Sequence, residues 1–153
     1  MGDTREVEEL LTRTLAGAST MFLSTCSTEG EPWGAGVFFA EADPFTLRLI
    51  VEASGRTLRN IAANPNVAIV VSTGSPFEPF LQGSADAVVD PDGIDSTKAA
   101  LVAKSPECAP LLDGGMPVAA VRLDIQTWRV TDVANGIFPG VELQTASPVL
   151  RLS

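Results

Sequence analysis

Ser54, Arg56, Thr57 and Arg59 fall within the single stretch SGRTLR. Two guanidinium groups and two hydroxyls so close together suit an oxyanion, a phosphate group above all. Their setting supports that chemistry. Leu47, Leu49 and Val51 alternate with Arg48, Ile50 and Glu52, as in a half-buried strand. Ser54-Gly55 breaks the strand, and Ser54 is placed to cap a helix that begins at Gly55 or Arg56. Leu58, Ile61 and Ala62 follow at i, i+3, i+4, giving that helix one apolar face. Asn64-Pro65 ends it, because proline disfavours the helical conformation in the residue before it. Val67 to Val71 returns as a buried strand. The polar residues therefore crowd a helix N-terminus, where free amide N–H groups and the positive dipole end attract anions. The alternative is a pair of solvated arginines balanced by the chain's many carboxylates, and the motif alone leaves both open.

Composition narrows the chemistry. The chain has 153 residues, 45% hydrophobic and 19% charged, as expected of one globular domain over 1–153 with a substantial core. A net charge of −9 argues against a nucleic-acid surface and leaves room for a local basic pocket. Histidine is absent, so imidazole metal ligation, axial histidine to haem and a Ser-His-Asp triad have no residue here to carry them. Tyrosine is absent too. Cys26 and Cys108 lack CxxC spacing; no metal site is expected, and they read as free thiols of a cytoplasmic protein. No apolar run reaches the length of a membrane span, and the acidic opening MGDTREVEE is unlike a signal peptide. Nor does Met1-Gly2 continue as an acylation motif, since Glu6 stands where Ser or Thr is wanted.

The elements around the motif follow from the rest of the chain. Asp3 and Glu6 form a capping box for a first helix whose stripe is Val7, Leu10, Leu11, Thr14 and Leu15, ending at Gly17. Thr20–Cys26, Gly34–Ala40 and Phe45–Ala53 read as three strands joined by turns at 27–32 and Asp43-Pro44, a β-meander. Beyond the central helix, Phe77–Val89 reads as a long strand, with Pro79 and Gly83 suggesting an edge position or a bulge. Asp90-Pro91-Asp92-Gly93 is a turn without the spacing of a calcium loop. Asp95 or Ser96 caps a helix whose apolar side is near Ala99–Val102. Ser105–Met116 is irregular, and Pro117–Val133 gives one or two strands. The tail from Asn135, with Gly136, Pro139, Gly140 and Pro148, reads as a loop packed on a partner.

Six or seven short strands, two or three helices and no βαβ rhythm describe a mainly β, α+β fold, a closed or split antiparallel β-barrel with a few short helices; the resemblance that follows implies the split form. Thr20–Asp90 resembles the FMN-binding split-barrel, pyridoxamine 5′-phosphate oxidase-like family. The resemblance lies in strand, E-G-x-P turn, strand, strand, then a basic segment closing on Arg59-Asn60-Ile61-Ala62-Ala63-Asn64-Pro65-Asn66-Val67-Ala68.

That resemblance implies a homodimer with two FMN sites at the subunit interface. Carried over by position, Arg56 and Thr57 match phosphate-binding residues, Ile50 and Val51 a flavin-contacting strand, and Gly34–Phe39 the strand beside the ring. Phe38 and Phe39 point to opposite faces, so one belongs to the core and Phe38 is the candidate for the cofactor cleft. Glu78 or Gln82 lies near the place of a flavin-contacting glutamine. Ser54 and Arg59 complete the expected phosphate cradle. The oxidase pattern has lysine at Thr57, arginine near Ala35 and lysine at Ala40, so three cations are missing. Trp33 either stacks on the ring or packs, packing being the commoner role, and Trp128 with Arg129 reads as core or interface. The expected function is an FMN-binding oxidoreductase acting on a small molecule, with deazaflavin as the alternative cofactor. A non-catalytic flavin-binding protein, or a dimer that has lost flavin, is the alternative function.

Overall fold

A computed structural model of the chain, describing residues 3–145, begins with helix α1 (Thr4–Gly17). Asp3 caps it, its carboxylate accepting from the Glu6 amide at 2.8 Å, and Val7, Leu10, Leu11 and Leu15 form its buried stripe. Then come β1 (Thr20–Cys26), β2 (Pro32–Phe38), β3 (Ala40–Asp43), β4 (Thr46–Glu52), α2 (Arg56–Ala63), β5 (Asn66–Val71) and β6 (Phe80–Val89). Helix α3 (Ile94–Lys104), the single turn α4 (Ala109–Leu112), β7 (Val118–Asp132) and β8 (Ile137–Gln144) complete the described chain.

The strands form one antiparallel sheet in the order β2-β1-β5-β6-β7-β4-β3, with β8 also on β7. The long β7 pairs with β6 along one side, and shares the other between β4 (Val118–Asp124) and β8 (from Thr127 onward). The two end strands of that order, β2 and β3, are separated in sequence by Phe39 alone. The sheet therefore has to curl until its ends approach each other. This is the split antiparallel barrel read from the sequence, open between β2 and β4. Alternate residues such as Leu23, Leu49, Ile69, Leu81 and Leu123 fill its interior, and α1 lays its stripe on the same core. On the other side of β4, Ile50 and Phe38 pack with Ala40, Leu101, Cys108 and Leu112 beneath α3 and α4.

Tertiary contacts moved several local features. The second strand begins at Pro32 and stops at Phe38, because the chain turns at the wholly buried Phe39 and Ala40 already pairs with Arg48. The unread strand β3 follows at Ala40–Asp43, and β4 spans Thr46–Glu52, one residue shorter at each end than read. Ser54 does not cap α2: Gly55 is its N-cap, with no side-chain cap, since the Gly55 amide turns back to the Glu52 carbonyl at 3.2 Å. The buried face of α2 is Asn60 and Ile61, while Ala62 is exposed. Asn60 tolerates burial because its Nδ2 donates to Thr25 Oγ1 at 3.0 Å. Strand β5 is not buried throughout but alternates, leaving Ala68 and Val70 outward.

Strand β6 starts at Phe80 and is central, not an edge. Gly83 is there because a Cβ would stand 2.7 Å from the Trp128 ring. The bulge lies beyond it, where Ser84 faces Thr127 and Ala85 faces Ile125, leaving Gln126 as the extra residue. Helix α3 is capped by Gly93 rather than by Asp95 or Ser96, and its buried residues are Thr97 and Leu101. The stretch 105–116 contains a 3-10 turn (Pro106–Cys108) and α4. The tail read as a loop is strand β8. Its Gly140 lies where the register shifts, so close that a Cβ would meet Thr131 and Val130. Pro148 and the Met1-Gly2 opening lie outside the described residues.

Candidate functional site

The split in the barrel is a cleft of about 380 Å³. Strand β2 forms one wall from Trp33 to Val37, and Ile50, Val51 and Glu52 at the end of β4 form the other. Gly55, Arg56 and Thr57 close one end with the first turn of α2. Leu111, Leu112, Met116 and Val118 cover the outer side. Each wall has a local cause. Strand β2 has β1 as its ladder partner on one side only, so alternate N–H and C=O groups along its other edge are left for a ligand. Gly34 and Gly36 bare that strand further: a Cβ on either would meet nothing within 4 Å. At α2 no side chain caps the helix and its first turn holds no acidic residue, so its leading amides remain open donors.

Of the residues proposed from sequence, the cleft brings together Ile50, Val51, Arg56 and Thr57. Arg56 lies over the Trp33 ring, 4.3 Å from its centre, a cation–π contact at the mouth. Ser54 is exposed just before the helix and does not line the cleft. Arg59 turns back instead of joining Arg56, its Nη1 donating to the Ser54 carbonyl at 3.0 Å. Phe38 is half-buried against the cluster under α3 and is likewise outside the lining. Gln82 lies in a lateral row that begins at Gly36 and passes through Phe22 and Val70 to Gln82. Three strand spacings make that about 14 Å from the cleft wall of the same chain. Glu78 is on the loop before β6, with its carboxylate bonded to the Thr73 hydroxyl.

The sequence reading missed Glu52 and the apolar cover. Glu52 appears in the sequence merely as the last polar position of a strand, and only the turn at Gly55 brings its carboxylate to the helix mouth. Leu111, Leu112 and Met116 come from a segment with no periodicity to read. Trp33 carried a signal, an aromatic beside the Gly-x-Pro turn, and is 40% exposed on the cleft. Of the three positions where the resemblance calls for cations, Ala35 and Thr57 line the cleft, whereas Ala40 is buried under α3. Among the described residues no group of three or more cysteine, aspartate or glutamate side chains could hold a metal ion, and no helix is long and apolar enough to cross a membrane. Both cysteines are free thiols.

The family model described as pyridoxamine 5′-phosphate oxidase matches residues 4–132. The chain belongs to the pyridoxamine 5′-phosphate oxidase family. Solved structures agree on the fold. The heme binding protein of Mycobacterium smegmatis matches at TM-score 0.71 and 19% identity, covering 94% of this chain but 60% of that one. General Stress Protein 26 of Bacillus anthracis matches at 0.70 and 19%, covering 91% of this chain and 98% of that one. HutZ, the heme storage protein of Vibrio cholerae, matches at 0.62 and 19%, covering 82% and 92%. At these identities the likeness is one of fold. No curated protein matches the sequence.

The donor set fits a flavin. An exposed strand edge offers hydrogen bonds to a ring rim, a glycine-bared backbone admits a planar system, and open amides with Arg56 and Thr57 meet an anionic tail. Haem would make a different demand, an axial ligand. The 153 residues hold no histidine or tyrosine. Cys108 is 1% exposed beneath α3, and Met116 is the one sulfur on the cleft among the described residues.

Proposed function

We propose that the chain binds FMN in this cleft, with deazaflavin as the alternative, and acts as an oxidoreductase on a small molecule. The carrying observation is the meeting, in one cavity, of the free edge of β2 with the uncapped end of α2 bearing Arg56 and Thr57. Arg56, Thr57 and the first amides of α2 hold the tail. The bared backbone at Gly34 and Gly36 lies along the ring, Ile50 and Val51 support it, and Trp33 closes the mouth. A bound flavin would supply hydride chemistry. Leu111, Leu112 and Met116 line the outer side with apolar surface suited to a largely apolar partner molecule.

A homodimer goes with this reading. Gln82 reaches a flavin only if it is one held by a second copy, and the outward Phe22 and Val70 beside it, 58% and 37% exposed, supply an apolar contact face. The cleft holds no obvious acid–base pair, so a non-catalytic flavin carrier is the second reading.

Titration of the purified protein with FMN and with deazaflavin, followed by visible spectroscopy, tests the binding. Perturbed flavin bands and micromolar or tighter affinity are expected, and failure to bind either would overturn the proposal. Reduction of the loaded protein by NADH or NADPH, followed by turnover of a test acceptor, separates oxidoreductase from carrier.

A further inference from the structure

We propose that Glu52 sets the charge preference of the cleft, so that it favours a flavin whose tail carries one negative charge or none over a flavin ending in a phosphate monoester. The proposal rests on the flavin reading above and specifies which flavin the site prefers.

Glu52 lies on the cleft with Arg56 and Thr57. Its carboxylate sits against the N-cap of α2, with Oε2 3.2 Å from where a Cβ on Gly55 would be. The helix has no side-chain cap and no acidic residue in its first turn, so an anion at this point is favoured by the dipole. Glu52 thus occupies electrostatically the place that an anionic tail would take. It is not neutralised locally: the ion pairs of the described residues join Arg5 to Glu9, Lys104 to Glu41, Arg122 to Asp124 and Arg129 to Glu142, none of them involving Glu52 or Arg56.

The charges on the cleft are therefore one carboxylate and one guanidinium. Arg59, the next cation, is turned to the Ser54 carbonyl. A phosphate monoester carries about −1.5 to −2 at pH 7. Placed beside Glu52 it meets one positive and one negative side chain, and among the described residues lining the cleft no second cation balances its second charge. A neutral ribityl tail uses the open amides without that repulsion, and the single charge of a phosphodiester is matched by Arg56.

The test measures affinities of riboflavin and FMN for the full chain by fluorescence titration, in the wild type, Glu52→Gln and Glu52→Asp. We expect Glu52→Gln to tighten FMN by about fivefold or more, the scale of one like-charge contact near a surface, while riboflavin changes less than about twofold. Glu52→Asp keeps the charge and is expected to retain the wild-type ratio of the two affinities, which separates charge from shape. Because Glu52 is exposed, the thermal melt of Glu52→Asp should match the wild type, and loss of the favourable dipole contact in Glu52→Gln should lower it by no more than about 4 °C. If both flavins bind and Glu52→Gln leaves their ratio within about twofold, the role of Glu52 is overturned while the flavin site stands. If the wild type binds neither, the flavin reading falls and this inference falls with it.

Discussion

Among the residues lining the cleft, Arg56 is the one cation, and it carries the phosphate assignment. Arg56→Ala is expected to weaken FMN at least about tenfold, the low end for a hydrogen bond to a charged group, and to leave riboflavin nearly unchanged. A change within about threefold, read by the same titration, would remove the assignment. Cys108 illustrates a different single-residue effect. Burial, then the nearby Glu107 carboxylate, raise its thiol above the ordinary range, against a smaller lowering by a backbone hydrogen bond. The folded state therefore holds this proton more tightly than the unfolded chain does. Its contribution to stability is complete below the unfolded pKa and is lost as pH rises through the folded one. Thiol labelling of the native protein should accordingly modify the half-buried Cys26 well before Cys108. Equal rates would contradict the burial of Cys108.

At the scale of elements, the cleft cover depends on how α3 and α4 are held. Lys104 ends α3 and donates to Glu41 at 2.6 Å and to the Leu15 carbonyl at 2.9 Å, near the end of α1. It also lies 3.7 Å from the centre of the Phe39 ring. One ammonium thus ties two helix ends to β3 at the residue where the sheet turns, in a setting about four-fifths buried on both sides of the ion pair. Lys104→Met is expected to cost about 1.5–3 kcal/mol, because the largely buried Glu41 carboxylate is left without its partner. Chemical denaturation measures this, and the double variant with Glu41→Gln should recover part of the loss. The surface pair Arg5–Glu9, 87% and 54% exposed, should by contrast contribute well under 1 kcal/mol.

For the molecule as a whole, the outward row Phe22, Val70, Gln82 predicts assembly. Phe22→Glu places a charge at the centre of that face, and sedimentation should show a shift from dimer towards monomer with the fold retained by circular dichroism. If the dimer persists unchanged, its interface lies elsewhere. If FMN affinity falls together with dimerisation, the partner copy completes the site, as the proposed role of Gln82 would need.

The alternation of β4, the Asp3 cap of α1 and the Asn64-Pro65 stop were legible locally, because each is decided within a few residues. So was the placing of Arg56 and Thr57 at the N-terminal end of α2, and the barrel followed from the strand count with its family resemblance. What the sequence could not show was decided across the fold. Gly140 and Pro139 look like loop residues yet serve a bulged strand on β7, and Gly83 answers to Trp128, a residue far along the chain. Glu52 reaches the helix mouth through a turn, Arg59 leaves it for a carbonyl, and Leu111 and Met116 arrive from a segment without pattern. Residue types and short-range spacing thus determined most of the elements up to β6 and the polar, basic opening of α2. Which side chains share the cleft, and with what net charge, was decided only when the sheet curled through Phe39 and brought β2, β4, α2 and α4 to one opening.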